Sequence, residues 1–228
     1  MPNFDIIKEN KADKDSFRVQ SIIGMFDLQN EHIKEHFKGS IELEGKDWNV
    51  GIIYGASGTG KSTIAKELFN DDIITEFEYK ANSIIDDMPK GKTVKEIVKI
   101  FNSVGFSSPP SWLKPYQVLS NGEKMRVDLA NAILSDKDVI VFDEFTSVVN
   151  REVAKVGSYA IAKAIRKRDK KFIAISCHYD IVDWLEPDWV FCTDTMTFEF
   201  SKKKDQKLTL ESMNVAQIFG RCLASITI

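Results

Sequence analysis

Lys61 and Ser62 close the run GASGTGKS, residues 55–62. A lysine and a hydroxyl behind a glycine-rich loop are what a nucleoside triphosphate needs. Backbone N–H groups wrap the phosphates, the ammonium faces the outer phosphates as a point charge, and the serine hydroxyl ligates Mg²⁺. The G-x-x-x-x-G-K-S spacing makes Gly55, Ala56, Ser57, Gly58, Thr59, Gly60, Lys61, Ser62 and Thr63 the candidate ATP-binding residues. A second pair, Asp143 and Glu144, follows the apolar run VIVF, 139–142. Asp143 is a candidate Mg²⁺ ligand together with Ser62, and Glu144 a candidate general base for an attacking water. On its own such a pair reads equally well as a helix cap or a solvated loop; a phosphate loop upstream favours the metal-and-base reading.

These residues need elements to hold them. WNVGIIY, 48–54, is a short apolar run of the kind a buried parallel strand shows, and STIAKELF, 62–69, has helical spacing. Strand, glycine loop and helix in that order argue against a chance glycine turn. DVIVFDE (138–144), KFIAISCH (171–178) and WVFCT (189–193) read as further buried strands. TVKEIVKIFNSVG (93–105) reads as an amphipathic helix closed by Gly105, and SSPPSWLKP (107–115) as a proline-punctuated loop. EKMRVDLANAIL (123–134) and REVAKVGSYAIAKAIRKR (151–168) read as helices. SFRVQSIIGMFDL (16–28) is rich in β-formers and reads as strands, which gives the fold an antiparallel N-terminal β part. The alternation predicts an α/β P-loop NTPase: a mainly parallel sheet flanked by helices, with a short helical segment.

Composition narrows the class. The chain has 228 residues, 43% hydrophobic and 29% charged, which suits one globular unit with a sizeable core. A net charge of −3 gives no global basic excess for nucleic acid. Three cysteines, Cys177, Cys192 and Cys222, stand singly, as in a reducing compartment rather than a disulfide framework. No apolar run reaches the roughly 18 residues of a membrane span. With a polar N-terminus, these features lead to the expectation of a cytoplasmic protein.

LSNGE, 119–123, is by itself a capping box. The order of phosphate loop, LSNGE, VIVFDE and then His178 after the next strand resembles the ABC-type ATPase family, whose LSGGQ signature precedes the Walker B strand and whose switch histidine follows the next one. The resemblance covers about 16–195 of a single domain, 1–228, with 196–228 as a C-terminal extension. Carried over, it makes Ser120 and Gly122 nucleotide-binding signature residues, Asp143 the magnesium aspartate, and Glu144 and His178 catalytic. SVVN, 147–150, matches the D-loop, with Asn150 where aspartate is usual. Ser120 precedes Asp143 by 23 positions and Glu144 precedes His178 by 34, as in the family. Asn121 and Glu123 depart from the signature; asparagine accepts glycine-like backbone angles. The Q-loop glutamine is missing, Gln117 lies too near the signature, and Asp86 or Asp87 is the nearest substitute. Phe26 and Phe37 are candidates to stack on adenine, although a core phenylalanine is the better reading of either.

The resemblance implies ATP and Mg²⁺ as cofactors, and a homodimer that clamps two ATP molecules head to tail and passes its motion to a partner. Three readings follow: a stand-alone soluble ATPase driving a bound or fused protein, the nucleotide-binding subunit of a membrane transporter, and a P-loop kinase or GTPase. The short interval between Lys61 and Ser120 and the absent glutamine disfavour a membrane partner. The basic run KAIRKRDKK, 163–171, links weakly to nucleic acid and reads also as a solvated helix end. Trp112, Trp184 and Trp189 are either partner contacts or core.

Overall fold

The computed structural model describes residues 3–10, 16–27, 33–74 and 77–201. In chain order the elements are β1 (Asn3–Asn10), α1 (Phe17–Met25), β2 (Ile33–Ser40), β3 (Val50–Tyr54), α2 (Lys61–Phe69), β4 (Ile73–Ile74), α3 (Ile84–Asp87), α4 (Val94–Ser103), α5 (Pro109–Trp112), α6 (Asn121–Leu134), β5 (Val139–Phe142), α7 (Arg151–Arg166), β6 (Lys171–Ser176), α8 (Ile181–Leu185), β7 (Trp189–Cys192) and β8 (Thr197–Phe200). The main sheet has strand order β4-β5-β6-β3-β7-β8. Every pairing in it is parallel except β7 with β8. β1 and β2 form a separate antiparallel pair. The fold is thus the expected parallel α/β sheet with a small antiparallel N-terminal sheet. Strands β1 and β8 extend it on either side of 16–195, and residues 202–228 lie outside the described residues.

Period-two alternation sorts the central strands between two cores. Val50, Ile52 and Tyr54 of β3, Phe172 and Ala174 of β6 and Ile140 of β5 face one core with α4, α6 and α7. Ile53, Ile173, Ile175 and Val141 face the other, with α2 and the β1–β2 pair. Both faces are covered, which is why these strands read as continuous apolar runs. Trp189 is fully buried, and its ring lies where a Cβ on Gly51 would stand, 2.1 Å away. Trp112 and Trp184 are half-buried against the first core, and Trp112 Nε1 donates to the Phe106 carbonyl at 2.9 Å. All three tryptophans therefore belong to the packing.

The segment 16–28 is the main departure from the sequence reading. Residues 17–25 are a helix, and the N-terminal strands lie outside that segment, at 3–10 and 33–40. Val19, Ile22, Ile23 and Phe26 recur at i, i+3, i+4 and i+7, a helical spacing that outweighs their β propensity. α1 buries no residue of its own. The β1–β2 pair is fastened by two phenylalanines: Phe4 packs edge-on against Phe191 at 5.7 Å, and Phe37 is buried under the phosphate loop.

The basic run after α7 is also structural. Lys163 and Arg166 stand in the last turn, where a cation meets the negative end of the helix dipole. Arg166 donates to the carbonyls of Leu185 and Glu186, and Arg168 to that of Ala164. Lys170 Nζ donates to the carbonyls of Ser135 and Lys137, both at 2.6 Å.

Candidate active site

β3 delivers the chain to the phosphate loop and α2 receives it. Between them Gly55, Gly58 and Gly60 have φ of 152°, 85° and 83°. The left-handed values at Gly58 and Gly60 would strain any other residue. Gly55 is needed for space as well, because a Cβ there would meet Thr193 Oγ1 at 2.3 Å. Lys61 folds back over the loop and donates to the carbonyls of Gly55 (3.0 Å) and Ala56 (2.6 Å). Its ammonium is thus held on the concave side that phosphates would occupy.

β5 ends at Phe142, and the two acids follow. Ser62 Oγ donates to Asp143 Oδ1 at 3.0 Å, and the same oxygen accepts the Glu144 N–H at 2.9 Å. Glu144 and Thr146 hold positive φ, 54° and 67°. Such angles cost of order 1–3 kcal/mol each, so the surrounding packing must hold the turn. Phe145 between them secures the turn: it is fully buried, its N–H donates to the Ile175 carbonyl at 2.8 Å, and its ring packs against Phe142 and Phe172.

A cleft of about 250 Å³ opens at this junction. Ser57, Gly58, Gly60, Lys61, Ser62 and Thr63 line one side, and Asp143 and Glu144 the other. Lys8, Glu35 and Cys177 line it too, and no sequence signal marked them. Lys8 and Glu35 face each other across the β1–β2 register, so only the tertiary fold brings them to the loop. Gly55, Ala56 and Thr59 form the back of the loop. His178 lies one residue beyond the lining; its N–H donates to Ser176 Oγ at 3.1 Å, and its buried Nδ1 has no hydrogen-bond partner.

The residues present fit Mg²⁺ and a triphosphate. Magnesium takes one or two hard protein oxygens and draws its remaining ligands from phosphate and water; Ser62 and Asp143 are such a pair. A dedicated all-protein cage is absent, since no cluster of three or more His, Cys, Asp or Glu exists among the described residues. Neither Asp86 nor Asp87 joins the cleft. Asp87 accepts the N–H groups of Lys80 and Ala81, both at 2.9 Å, and Asp86 accepts the Ser83 hydroxyl at 2.5 Å, so both fold their own turn. Phe37 is buried beneath Gly60, and Phe26 does not line the cleft.

The signature segment sits apart from this cleft, at the start of α6. Ser120 caps the helix: its hydroxyl accepts the Glu123 N–H, while Glu123 Oε2 accepts the Ser120 N–H (3.0 Å) and hydroxyl (2.8 Å). Glu123 Oε1 takes the Ser111 hydroxyl at 2.7 Å. The Ser111 bond, then the Ser120 N–H, hold its carboxyl below the usual glutamate range. Asn121 needs no glycine-like angle, contrary to the sequence reading. It is the first helical residue, and its Nδ2 donates to the Val148 carbonyl at 3.3 Å. Gly122 is small for a packing reason, since a Cβ would meet Val153 of α7 at 3.1 Å. Asn150 caps α7 by accepting the Val153 N–H at 2.9 Å, a role asparagine fills as well as aspartate.

Residues 38–147 match the ABC transporter family. Over these residues, just under half of the chain, the sequence is that of an ABC-type ATPase domain. It is 30% identical over 155 residues to a probable metal transport system ATP-binding protein of Thermotoga maritima, covering 58% of this chain and 63% of that one. It is 31% identical over 121 residues to an energy-coupling factor transporter ATP-binding protein, EcfA1, of Mycoplasmopsis pulmonis, covering 52% and 41%. Elongation factor 3 of Gonapodya prolifera is 26% identical over 152 residues, covering 54% of this chain and 14% of that one. The chain therefore spans less than two thirds of each of these relatives. Among solved structures, a dimeric bacterial ABC transporter cassette superposes with a TM-score of 0.57 at 12% identity, covering 83% of this chain and 92% of that one. A dimeric post-hydrolysis cassette bound to ADP and phosphate gives 0.56 at 12%, covering 87% and 100%. These similarities establish the ABC cassette fold. Among the described residues no helix is long and apolar enough to cross a membrane.

Proposed function

We propose that the ABC domain binds Mg–ATP in the cleft and hydrolyses it as a head-to-tail pair of copies, each supplying Ser120 and Gly122 to the nucleotide of the other. One observation carries the reading: Ser62 Oγ stands 3.0 Å from Asp143 in a cleft shared with Lys61 and Glu144. Backbone N–H groups of the loop and Lys61 hold the phosphates, and the N-terminal end of α2 adds its dipole. Ser62 and Asp143 hold Mg²⁺, which when bound neutralises charge on the phosphoryl oxygens. Glu144 orients the attacking water and takes its proton. His178 faces the outer phosphate from the end of β6. The capped end of α6 aims Ser120 at the partner copy's nucleotide. Binding closes the pair and hydrolysis opens it, so the output is mechanical.

What the motion drives follows from the relatives more than from the site. The names of the metal-transport and EcfA1 relatives support a nucleotide-binding subunit that moves a membrane partner, at least as well as a stand-alone machine moving a soluble one. The short segment between α2 and α6 supports the soluble partner. The names of the metal-transport and EcfA1 relatives give no support to a nucleic-acid role. The test is hydrolysis by the purified chain without detergent: a rate that rises more than linearly with protein concentration supports a self-sufficient pair. Turnover only after a membrane fraction is added supports the transporter subunit, and no turnover in either case defeats the proposal.

A further inference from the structure

His178 is followed by two residues whose side chains reach different elements. Tyr179 Oη donates to Asp194 Oδ2 at 2.7 Å, and Asp194 Oδ1 accepts the N–H of Ala56, the second residue of the phosphate loop, at 2.9 Å. The Tyr179 ring packs edge-on against Tyr54, the last residue of β3, at 5.7 Å. The turn carrying Asp194 is pinned to the loop again by its neighbour. Thr193 N–H donates to the Tyr54 carbonyl at 2.8 Å, and its hydroxyl lies 2.6 Å from that of Thr59. Toward the other element, Asp180 pairs with Arg151, whose Nε donates to Oδ2 at 3.1 Å and whose guanidinium lies 4.8 Å from the Trp184 ring. Arg151 opens α7 directly after Asn150, the end of the SVVN turn.

This arrangement has a mechanical consequence. Ala56 gives its N–H to a carboxylate, a bond about twice as strong as a neutral one. The peptide plane is rigid, so if the Gly55–Ala56 peptide turns when phosphate binds, its N–H must carry Asp194 along or break that bond. Asp194 holds Tyr179, and Tyr179 is covalently next to His178. The buried His178 Nδ1 has no partner, so no bond at that nitrogen holds the ring, and what is fastened is the backbone on its Tyr179 side.

We propose that Asp194 and Tyr179 form a brace that positions His178 and makes it respond to the phosphate loop, and that Asp180 and Arg151 extend the brace to the turn at 147–150. Tyr179, Asp180 and Asp194 are positioning residues, since none lines the cleft. The response to nucleotide rests on the function proposed above; the brace itself does not.

The test follows the imidazole signals of His178 by nitrogen–proton NMR of the full chain, which has three histidines, with His178→Gln as the assignment control. Tyr179→Phe removes only the hydroxyl, and Asp194→Asn removes the charge while keeping an acceptor for Ala56. Without nucleotide, each variant should move the His178 signals, and the double variant should move them no further than the stronger single one, because the links act in series. With Mg–ATP, the parent's His178 signals should shift, and those of Tyr179→Phe should shift less, keeping only the part due to the phosphate itself. The variant's kcat should fall about tenfold, as for loss of one charge-assisted bond, with KM within about twofold and by more than any drop in the melting midpoint accounts for. Nucleotide-free signals identical to the parent's would overturn the brace, as would a rate loss that only tracks lost stability. A parent that binds no Mg–ATP would defeat the reading of the cleft, while the nucleotide-free comparison would still decide the brace.

Discussion

Two glycines of the phosphate loop share a backbone angle and differ in what surrounds them. Gly58 and Gly60 have φ of 85° and 83°. A Cβ on Gly58 would meet nothing within 4 Å, whereas one on Gly60 would stand 2.5 Å from the Phe37 ring. Phe37 is 7% exposed, so its ring can give way only by displacing its packed neighbours. The left-handed angle costs an alanine about 1–2 kcal/mol, and forcing a methyl into a packed ring costs about 1–3 kcal/mol more. Gly58→Ala should therefore lose about 1–2 kcal/mol and Gly60→Ala about 2–5 kcal/mol. For a domain of this size 1 kcal/mol shifts the melting midpoint by about 2–4 °C, so calorimetry separates the two. Adding Phe37→Leu should relieve the packing part alone, giving a coupling of about 1–3 kcal/mol in a double-mutant cycle with Gly60→Ala and none with Gly58→Ala. Equal losses for the two glycines, or no coupling to Phe37, would refute the claim that the N-terminal strand pair supports the loop from below.

Two further predictions concern charge. Asp128 accepts the hydroxyls of Tyr79 (2.8 Å) and Tyr116 (2.9 Å), yet burial raises it from 3.8 to about 6. An acid with a raised folded value binds more protons folded than unfolded between the two values, so its contribution favours folding near pH 4 and is lost as pH rises to about 6. At 1.36 kcal/mol per unit the swing is about 3 kcal/mol, and chemical denaturation of Asp128→Asn should lack that part of the parent's slope. Lys61→Ala removes the ammonium above the Gly55 and Ala56 carbonyls; one charge-assisted bond is worth about 1.5–3 kcal/mol, so calorimetry should find Mg–ATP affinity at least about tenfold weaker with the fold intact.

What could be read from the sequence was local. The phosphate loop, the two acids after VIVF, the capping box at Ser120 and the buried central strands each lie within a few consecutive residues, where spacing reports geometry directly. The contacts that support them join distant residues. Thr193 and Asp194 reach the loop through the β3–β7 pairing, and Phe37 reaches Gly60 through the packing of the strand pair. Neither leaves a mark at Gly55 or Gly60 beyond the glycine itself. The segment 16–28 misled because its β-branched residues also fall at helical spacing. At Asn121 a helical position with a side-chain bond to Val148 replaced the glycine-like angle expected of the signature.

Closure of two copies over ATP is tested most directly by Glu144→Gln. The amide keeps the shape of the carboxylate but takes no proton, and loss of a general base slows hydrolysis about a hundredfold to ten-thousandfold. Lys61, Ser62 and Asp143 remain, so Mg–ATP should still bind and the pair should close and stay closed. Size-exclusion chromatography with light scattering should show an ATP-dependent dimer of Glu144→Gln that reverts to monomer when Ser120→Arg is added. A Glu144→Gln protein that hydrolyses ATP at the parent rate, or one that is inactive yet stays monomeric with Mg–ATP bound, would contradict the clamp.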